Sequence, residues 1–275
     1  MSARLFSILA FRLTTAEPER LATFYRHLGF AVGAPESIPD DEIALLGLKG
    51  SGTRLPLRLG GQRVDLDCFD RPGRAYPSAA TSSDLCFQHF ALLTDNAEAA
   101  WALATTLDAL PISSAGPVTL PASAGGVTAV KFRDPEGHPL EILQFPAGGG
   151  PRPAGTGLFG IDHSAVSVSD VDASRRFYQA RGLSVQGQTL NQGPSQEALD
   201  GLSDVVVDVV PMMPRRPTPH LELLAYRRPT GRPAGLMEAN DVAATRTVWA
   251  ADRDAFIRDP DNHLHLLRKQ IPLAE

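Results

Sequence analysis

The sequence predicts an α+β fold of four βαβββ-type modules, the fourth truncated and lacking its helix. Three observations lead there. A Pro/Gly-rich break lies at the midpoint, the same succession of strand and helix patterns runs on both sides of it, and a similar turn sequence closes each half.

The break is PAGGGPRPAGTG, residues Pro146–Gly157. Proline and glycine dominate it, so it cannot hold regular structure. It sets an N-terminal domain at 1–147, a linker at 148–157 and a C-terminal domain at 158–275. The first half opens LFSILAFRLTTAEPERLATFYRHLGF, which reads as a strand, an acidic helix start and an amphipathic helix. Leu21, Phe24, Tyr25 and Leu28 share one helical face, and Gly29 marks a stop. The second half opens GIDHSAVSVSDVDASRRFYQARGL on the same plan, with Phe177, Tyr178 and Gly182 in the corresponding places. VDLDCFDRPG (64–73) then matches LELLAYRRPT (221–230), and SDLCFQHFALLTD (83–95) matches NDVAATRTVWAAD (240–252). Finally FRDPEGHPLEI (132–142) matches IRDPDNHLHLL (257–267). These anchors define module 1 at 4–72, module 2 at 84–146, module 3 at 158–229 and module 4 at 240–270. Module 4 is too short for a helix and is expected to have lost two strands as well.

Composition excludes several functions. With 43% hydrophobic and 21% charged residues over 275 positions, the chain has the make-up of a soluble globular protein. A net charge of −5, with no basic run interleaved with aromatics, gives no reason to expect nucleic acid. No stretch approaches the ~20 apolar residues of a membrane helix. The opening MSARLFSILAFRL reads as a strand rather than a signal peptide. Cys68 and Cys86 are too few for a disulfide framework, which points to a cytoplasmic protein with both thiols in the core.

The hairpin FRDPEGHPLEILQF resembles the closing hairpin of a glyoxalase/bleomycin-resistance module, and GIDHSAVSVSDVDASRRFYQARGL resembles the opening strand and helix. The chain thereby resembles the vicinal-oxygen-chelate (VOC) superfamily, which also includes extradiol dioxygenases. The resemblance implies curved mixed sheets that pair into a cup around a divalent metal. It also implies ligands on the first and last strands of each module, His or Gln on the first and Glu on the last.

Under that resemblance, module 2 offers His89 and Glu141, and module 3 offers His163 and Glu222. Module 1 offers an apolar residue near Ile8 and then Asp65, and module 4 offers Arg246 and Leu266. The spacings from last strand to next first strand are 24, 22 and 24 residues, so the register is consistent. Only modules 2 and 3 keep both positions. Pairing them collects two imidazoles and two carboxylates, a set suited to one Zn, Ni, Co, Mn or Fe ion. Modules 1 and 4 would then form a degenerate cup without metal, whereas sequential pairing would split the set. His138 and His263 are expected at the surface, and His265 on the face away from the ligands. His27 and His220 carry no functional signal, and Arg215 and Arg216 read as a solvated loop.

The resemblance implies a metal-dependent enzyme acting on a small molecule with vicinal oxygens, as a monomer or homodimer. The first expectation is lyase or isomerase chemistry of the glyoxalase kind through a metal-stabilised enediolate, with Glu141 or Glu222 as the base. The alternatives are an Fe(II) extradiol dioxygenase and a non-catalytic binding or resistance protein.

Overall fold

The computed structural model describes residues 2–151 and 157–270. Residues 152–156 of the linker lie outside them. Module 1 runs β1 (Leu5–Thr14), α1 (Pro18–His27), β2 (Ala31–Val32), β3 (Glu36–Ser37), α2 (Asp40–Leu45), β4 (Gly52–Leu59) and β5 (Gln62–Phe69). Module 2 follows with β6 (Gln88–Thr94), α3 (Ala97–Thr105), β7 (Leu110–Pro111), β8 (Val118–Thr119), β9 (Thr128–Arg133) and β10 (Pro139–Gln144). Module 3 contains β11 (Leu158–Ser167), α4 (Val171–Gln179), β12 (Ser184–Val185), β13 (Thr189–Gln192), α5 (Pro194–Asp200), β14 (Val206–Met213) and β15 (His220–Arg228). Module 4 keeps β16 (Arg246–Ala251), β17 (Ala255–Arg258) and β18 (Leu264–Lys269). It has lost its helix and only one strand, not two, because the four residues Ala255–Arg258 suffice to pair antiparallel with β18.

The local elements follow from their residues. Leu21, Phe24 and Tyr25 of α1 are buried and Leu28 seals its end. Gly29 and Gly182 take φ of +101° and +98°, the left-handed turn that ends each helix and that a side chain would strain. Strand alternation divides each sheet into two faces. Phe90, Leu92, Leu140, Ile142, Leu221 and Leu223 enter the main core, while His89, Glu141 and Glu222 turn to the other side.

The sheets do not follow the halves of the chain. An 8-stranded sheet joins modules 1 and 4, with β1 antiparallel to β16. A 10-stranded sheet joins modules 2 and 3, with β6 antiparallel to β11. The rings of Phe11 and Phe90, one from each sheet, stack at 5.6 Å.

Consecutive modules are tied by the Asp-Pro turns instead. His138 and His263, expected at the surface, are 0% and 1% exposed. The turn after β9 docks on module 1: the Tyr25 hydroxyl donates to Asp134 at 3.1 Å, and His138 Nε2 meets the Thr14 carbonyl at 3.0 Å. The turn after β17 docks on module 3 in the same way, through Tyr178 to Asp259 at 2.8 Å and His263 Nε2 to the Ser167 carbonyl at 2.9 Å. Each histidine is buried because its ring satisfies a backbone carbonyl of the neighbouring module. His265 packs behind the sheet, as expected, between Tyr178 and Trp249. Cys68 and Cys86 are half-buried rather than core. Arg215 and Arg216 are exposed.

The sheet pairings 1–4 and 2–3 and the turn dockings 1–2 and 3–4 therefore close the four modules into a ring.

Both ring nitrogens of His138 face acceptors, Asp134 and the Thr14 carbonyl. Burial opposes its charge, but the Asp134 carboxylate prevails and raises its pKa above the ordinary 6.5. A raised folded pKa means stability that is full below about pH 6.5 and lost as pH rises through the folded value. Urea unfolding of His138→Leu should show a loss of about 1–3 kcal/mol at pH 6. That difference should shrink on the alkaline side, and a loss independent of pH would contradict the doubly donating imidazole.

Candidate metal centre

The 10-stranded sheet brings together side chains from strands far apart in sequence. On β10, Glu141 lies opposite Ala91 of the parallel strand β6, two residues beyond His89. On β15, Glu222 lies opposite Ala165 of β11, two residues beyond His163. Antiparallel pairing of β6 with β11 then sets His89 opposite Ala165. The two His/Glu pairs thus meet across the centre of the sheet.

His89 Nε2 is 2.7 Å from Glu141 Oε2. His163 Nε2 is 3.9 Å from Glu141 Oε2 and 3.7 Å from Glu222 Oε2. One donor atom from each of His89, Glu141 and His163 lies within 4.8 Å of the others, and these three side chains are buried. Ligands around a tetrahedral zinc with bonds of ~2.0–2.1 Å stand about 3.4 Å apart, so the spacing suits a single ion. His89 Nδ1 has no hydrogen-bond partner among the described residues, and Nε2, although 2.7 Å from Glu141 Oε2, is not aligned for a hydrogen bond to it. A buried imidazole whose nitrogens are not properly hydrogen-bonded is costly unless something else takes its lone pair, and a metal ion shared with the adjacent carboxylate would do so. The residues present therefore fit the group that the sequence suggests.

The surroundings orient the candidate ligands. A β-bulge between Ile161 and Ser164 breaks the alternation of β11, so Asp162 and His163 both line the cavity. Asp162 sits 3.0 Å from His163 Nδ1, which leaves Nε2 as the free lone pair. His220 lies opposite His163 across the β11–β15 pairing, with Nε2 3.4 Å from Glu222 Oε1. Burial disfavours a charge on His163, yet Glu222, Asp162 and Glu141 hold its pKa up at about 9. Burial likewise opposes the Glu222 charge, and His163 and His220 outweigh it to give a pKa of about 2. Burial lowers the pKa of His89, offset only in part by Glu141. His163 is thus held protonated by its carboxylate neighbours at neutral pH, and a bound ion would take the place of its Nε2 proton.

The group opens onto a cavity of ≈ 430 Å³. Leu120, Val127, Leu143 and Phe145 form an apolar wall, and Gln186, Gln188, Asn191 and Gln196 a polar one. Lys131, on β9 directly opposite Glu141, also lines the cavity. His220, Asp162 and Lys131 escaped the sequence reading. His220 and Lys131 could have been found from strand alternation, since one lies two residues before Glu222 and the other faces Glu141 across a hairpin. Asp162 could not, because its placement depends on the bulge.

The second cup is closed by charge. Arg12 reaches Glu42 and Asp65, Arg54 reaches Glu42 and Asp67, and Arg246 reaches Asp67 at 3.0 Å. All six side chains are buried. Arg12 pairs with Asp65 in the β1–β5 register, so the first-strand position equivalent to His163 is Ala10, an apolar residue two places from Ile8 as expected. In every module the position lies two residues before the partner of the inward last-strand residue. In module 4, Leu266 occupies the place of Glu141.

A model of the Glyoxalase/Bleomycin resistance protein/Dioxygenase superfamily matches residues 7–142. A variant of glyoxalase I from Zea mays is similar in structure, with a TM-score of 0.62 at 15% identity over 98% of this chain and 92% of that one. A putative dioxygenase from Bacillus subtilis subsp. subtilis str. 168 is similar with a TM-score of 0.60 at 15% identity, over 98% of this chain and 87% of that one. At such identities the likeness shows the fold alone. No curated protein sequence matches the chain. The modular fold, the family match and the buried His/Glu/His group agree, and the chain belongs to the glyoxalase/bleomycin resistance/dioxygenase superfamily, also called the vicinal-oxygen-chelate superfamily.

Proposed function

We propose that the chain is a divalent-metal-dependent enzyme acting on a small molecule with vicinal oxygens, by lyase or isomerase chemistry. The carrying observation is the buried group of His89, Glu141 and His163, with Glu222 at its edge, opening onto a cavity of small-molecule size. His89, Glu141, His163 and Glu222 would hold the ion. When bound, a divalent ion supplies Lewis acidity that polarises two adjacent oxygens and stabilises negative charge on them.

The chain's own residues do the rest. Asp162 fixes His163 in one tautomer. Glu222 stands apart from the compact three, is the more exposed of the two glutamates, and has one oxygen close to His220. That position suits it to move a proton on the substrate as general base, with Glu141 as the other candidate. Leu143 and Phe145 line the cavity beside Glu141 and would limit the access of bulk water to a bound substrate. No helix among the described residues is long and apolar enough to cross a membrane.

A second reading has one observation in its favour. The most compact set is two histidines and one carboxylate, which also suits Fe²⁺ and ring-cleaving oxygenation of a catechol. Reaction class is therefore tested in parallel. Metal-loaded protein should exchange the carbon-bound protons of hydroxyacetone in D₂O, followed by NMR, and Glu222→Gln should slow it by about 10²-fold or more. Oxygen uptake with a catechol panel after anaerobic Fe²⁺ loading, without proton exchange, would replace the lyase reading with the dioxygenase one.

Elemental analysis after reconstitution should give one divalent ion per chain, and His163→Ala or Glu222→Ala should abolish binding. Two equivalents, none, or full occupancy in both variants would overturn the ligand set.

Asp65→Ala should leave metal affinity unchanged within a few-fold, because Asp65 belongs to the other sheet. The same variant should lose about 3 kcal/mol in urea unfolding, since it deprives the buried Arg12 of a partner. A loss of metal affinity of about 100-fold would place the site in the wrong cup.

A further inference from the structure

The candidate metal centre uses two histidines and two carboxylates, but one buried cation on the same cavity wall has no part in it. Lys131 is 3% exposed and lines the cavity together with His89 and Glu141. It stands directly opposite Glu141 in the β9–β10 hairpin, so both side chains leave the same face of the sheet. An ammonium has three N–H donors. Among the described residues Lys131 Nζ makes one hydrogen bond, to Asp200 Oδ1 at 2.6 Å, which leaves two donors uncommitted.

The group is held firmly. Asp200 accepts from Gln196 at 2.8 Å through its other oxygen, and Gln196 in turn accepts from Asn191 at 3.2 Å. This chain of bonds anchors Nζ from the α5 side without using all its donors. A cation is not something the module itself requires. The residues at the same hairpin position, each opposite the inward residue of the last strand, are Pro56 facing Asp65, Pro211 facing Glu222 and Phe256 facing Leu266. Lysine occurs only in the cup that holds the His/Glu group. Burying an ammonium is costly, and a hydrophobic side chain would fill the same place at lower cost if packing were its only purpose.

We propose that Lys131 is a ligand-binding residue, whose free N–H donors take an anionic oxygen of the bound molecule, and that the ligand is a small carboxylate carrying a second oxygen on the adjacent carbon. One oxygen pair faces the metal centre and the carboxylate charge is matched by Lys131. Gln186, Gln188 and the other amides of the polar wall have no charge to offer it. This inference rests on the metal reading above.

Oxalate, an anion with vicinal oxygens, is a direct probe. Its affinity for the Co²⁺-loaded protein is read by calorimetry and by the Co²⁺ absorption bands, neither of which needs turnover. Lys131→Met should keep one Co²⁺ per chain and lose about 10- to 100-fold in oxalate affinity, the worth of one or two charged hydrogen bonds. Asp200→Asn, which weakens the ion pair but leaves the lysine in place, should hold oxalate within about threefold of the parent. If Lys131 serves only to tie α5 to β9, the two variants will instead lose stability alike and bind oxalate alike, and the proposal fails. Unchanged oxalate affinity in Co²⁺-loaded Lys131→Met overturns it equally. Should that variant not fold, Lys131→Gln keeps a hydrogen bond to Asp200 and carries the same expected loss. Failure of the parent protein to take up Co²⁺ would sink the metal reading itself, a separate result.

Discussion

The antiparallel contact between β6 and β11 is the interaction on which the candidate site depends. Each strand contributes one histidine, and each has a parallel neighbour, β10 or β15, that contributes one glutamate. Neither half of the chain has the whole set. Only when the first strands of modules 2 and 3 lie side by side do the imidazoles approach, with ring centres 5.6 Å apart. The pairing joins residues 64 to 78 positions apart, so its loop-closure entropy must be recovered from burial along the whole sheet. The docked turns contribute to the same end. Asp134 and Asp259, with their tyrosine and histidine partners, hold consecutive modules in the orientation that frees the first strands to pair across the midpoint.

Two cups of one architecture meet the problem of buried charge in opposite ways. In the cup of modules 1 and 4, Arg12, Arg54 and Arg246 stand among Glu42, Asp65 and Asp67, and the charges cancel within the protein. Burial alone would push Asp67 upward, yet its arginine neighbours hold it below the ordinary carboxylate range. Nothing further is needed there. In the cup of modules 2 and 3 the cancellation is incomplete: Glu141, Glu222 and Asp162 have histidines for neighbours, and neither ring nitrogen of His89 makes a well-aligned hydrogen bond among the described residues. Similar backbone registers thus carry a filled structural floor in one sheet and an open one in the other.

The open cup also differs from wall to wall. Its apolar side is built by β10 and the segments just after it and before β9, and its amide-rich side by the loop between β12 and β13, β13 itself and α5 of the other half of the chain. A ligand therefore lies at a junction between modules 2 and 3, touching residues whose relative positions are set by the same sheet that sets the metal ligands. Rigidity of the site and integrity of the sheet are one property.

Much of this was legible in the sequence because it is periodic. The repeated anchors, from Phe24-Tyr25 and Phe177-Tyr178 to the two Arg-Asp-Pro turns, gave the modules and their order. Alternation around Glu141 and Glu222 separated inward from outward residues, since successive strand side chains face opposite ways. The turn histidines were misread because their polarity and sequence context suggest solvent, whereas the acceptors that bury them, the carbonyls of Thr14 and Ser167, belong to other modules. The extent of module 4 was underestimated because a four-residue strand has too little pattern of its own. Lys131 and His220 stand on the inward alternation of their strands, whereas Asp162 became visible only with tertiary register, through the bulge in β11. The sequence by itself determined which residues of a regularly alternating strand face inward, because alternation is a property of each strand. Which inward residues meet was decided by the tertiary structure alone, because strand pairing between distant segments is set by the burial and closure of the whole molecule.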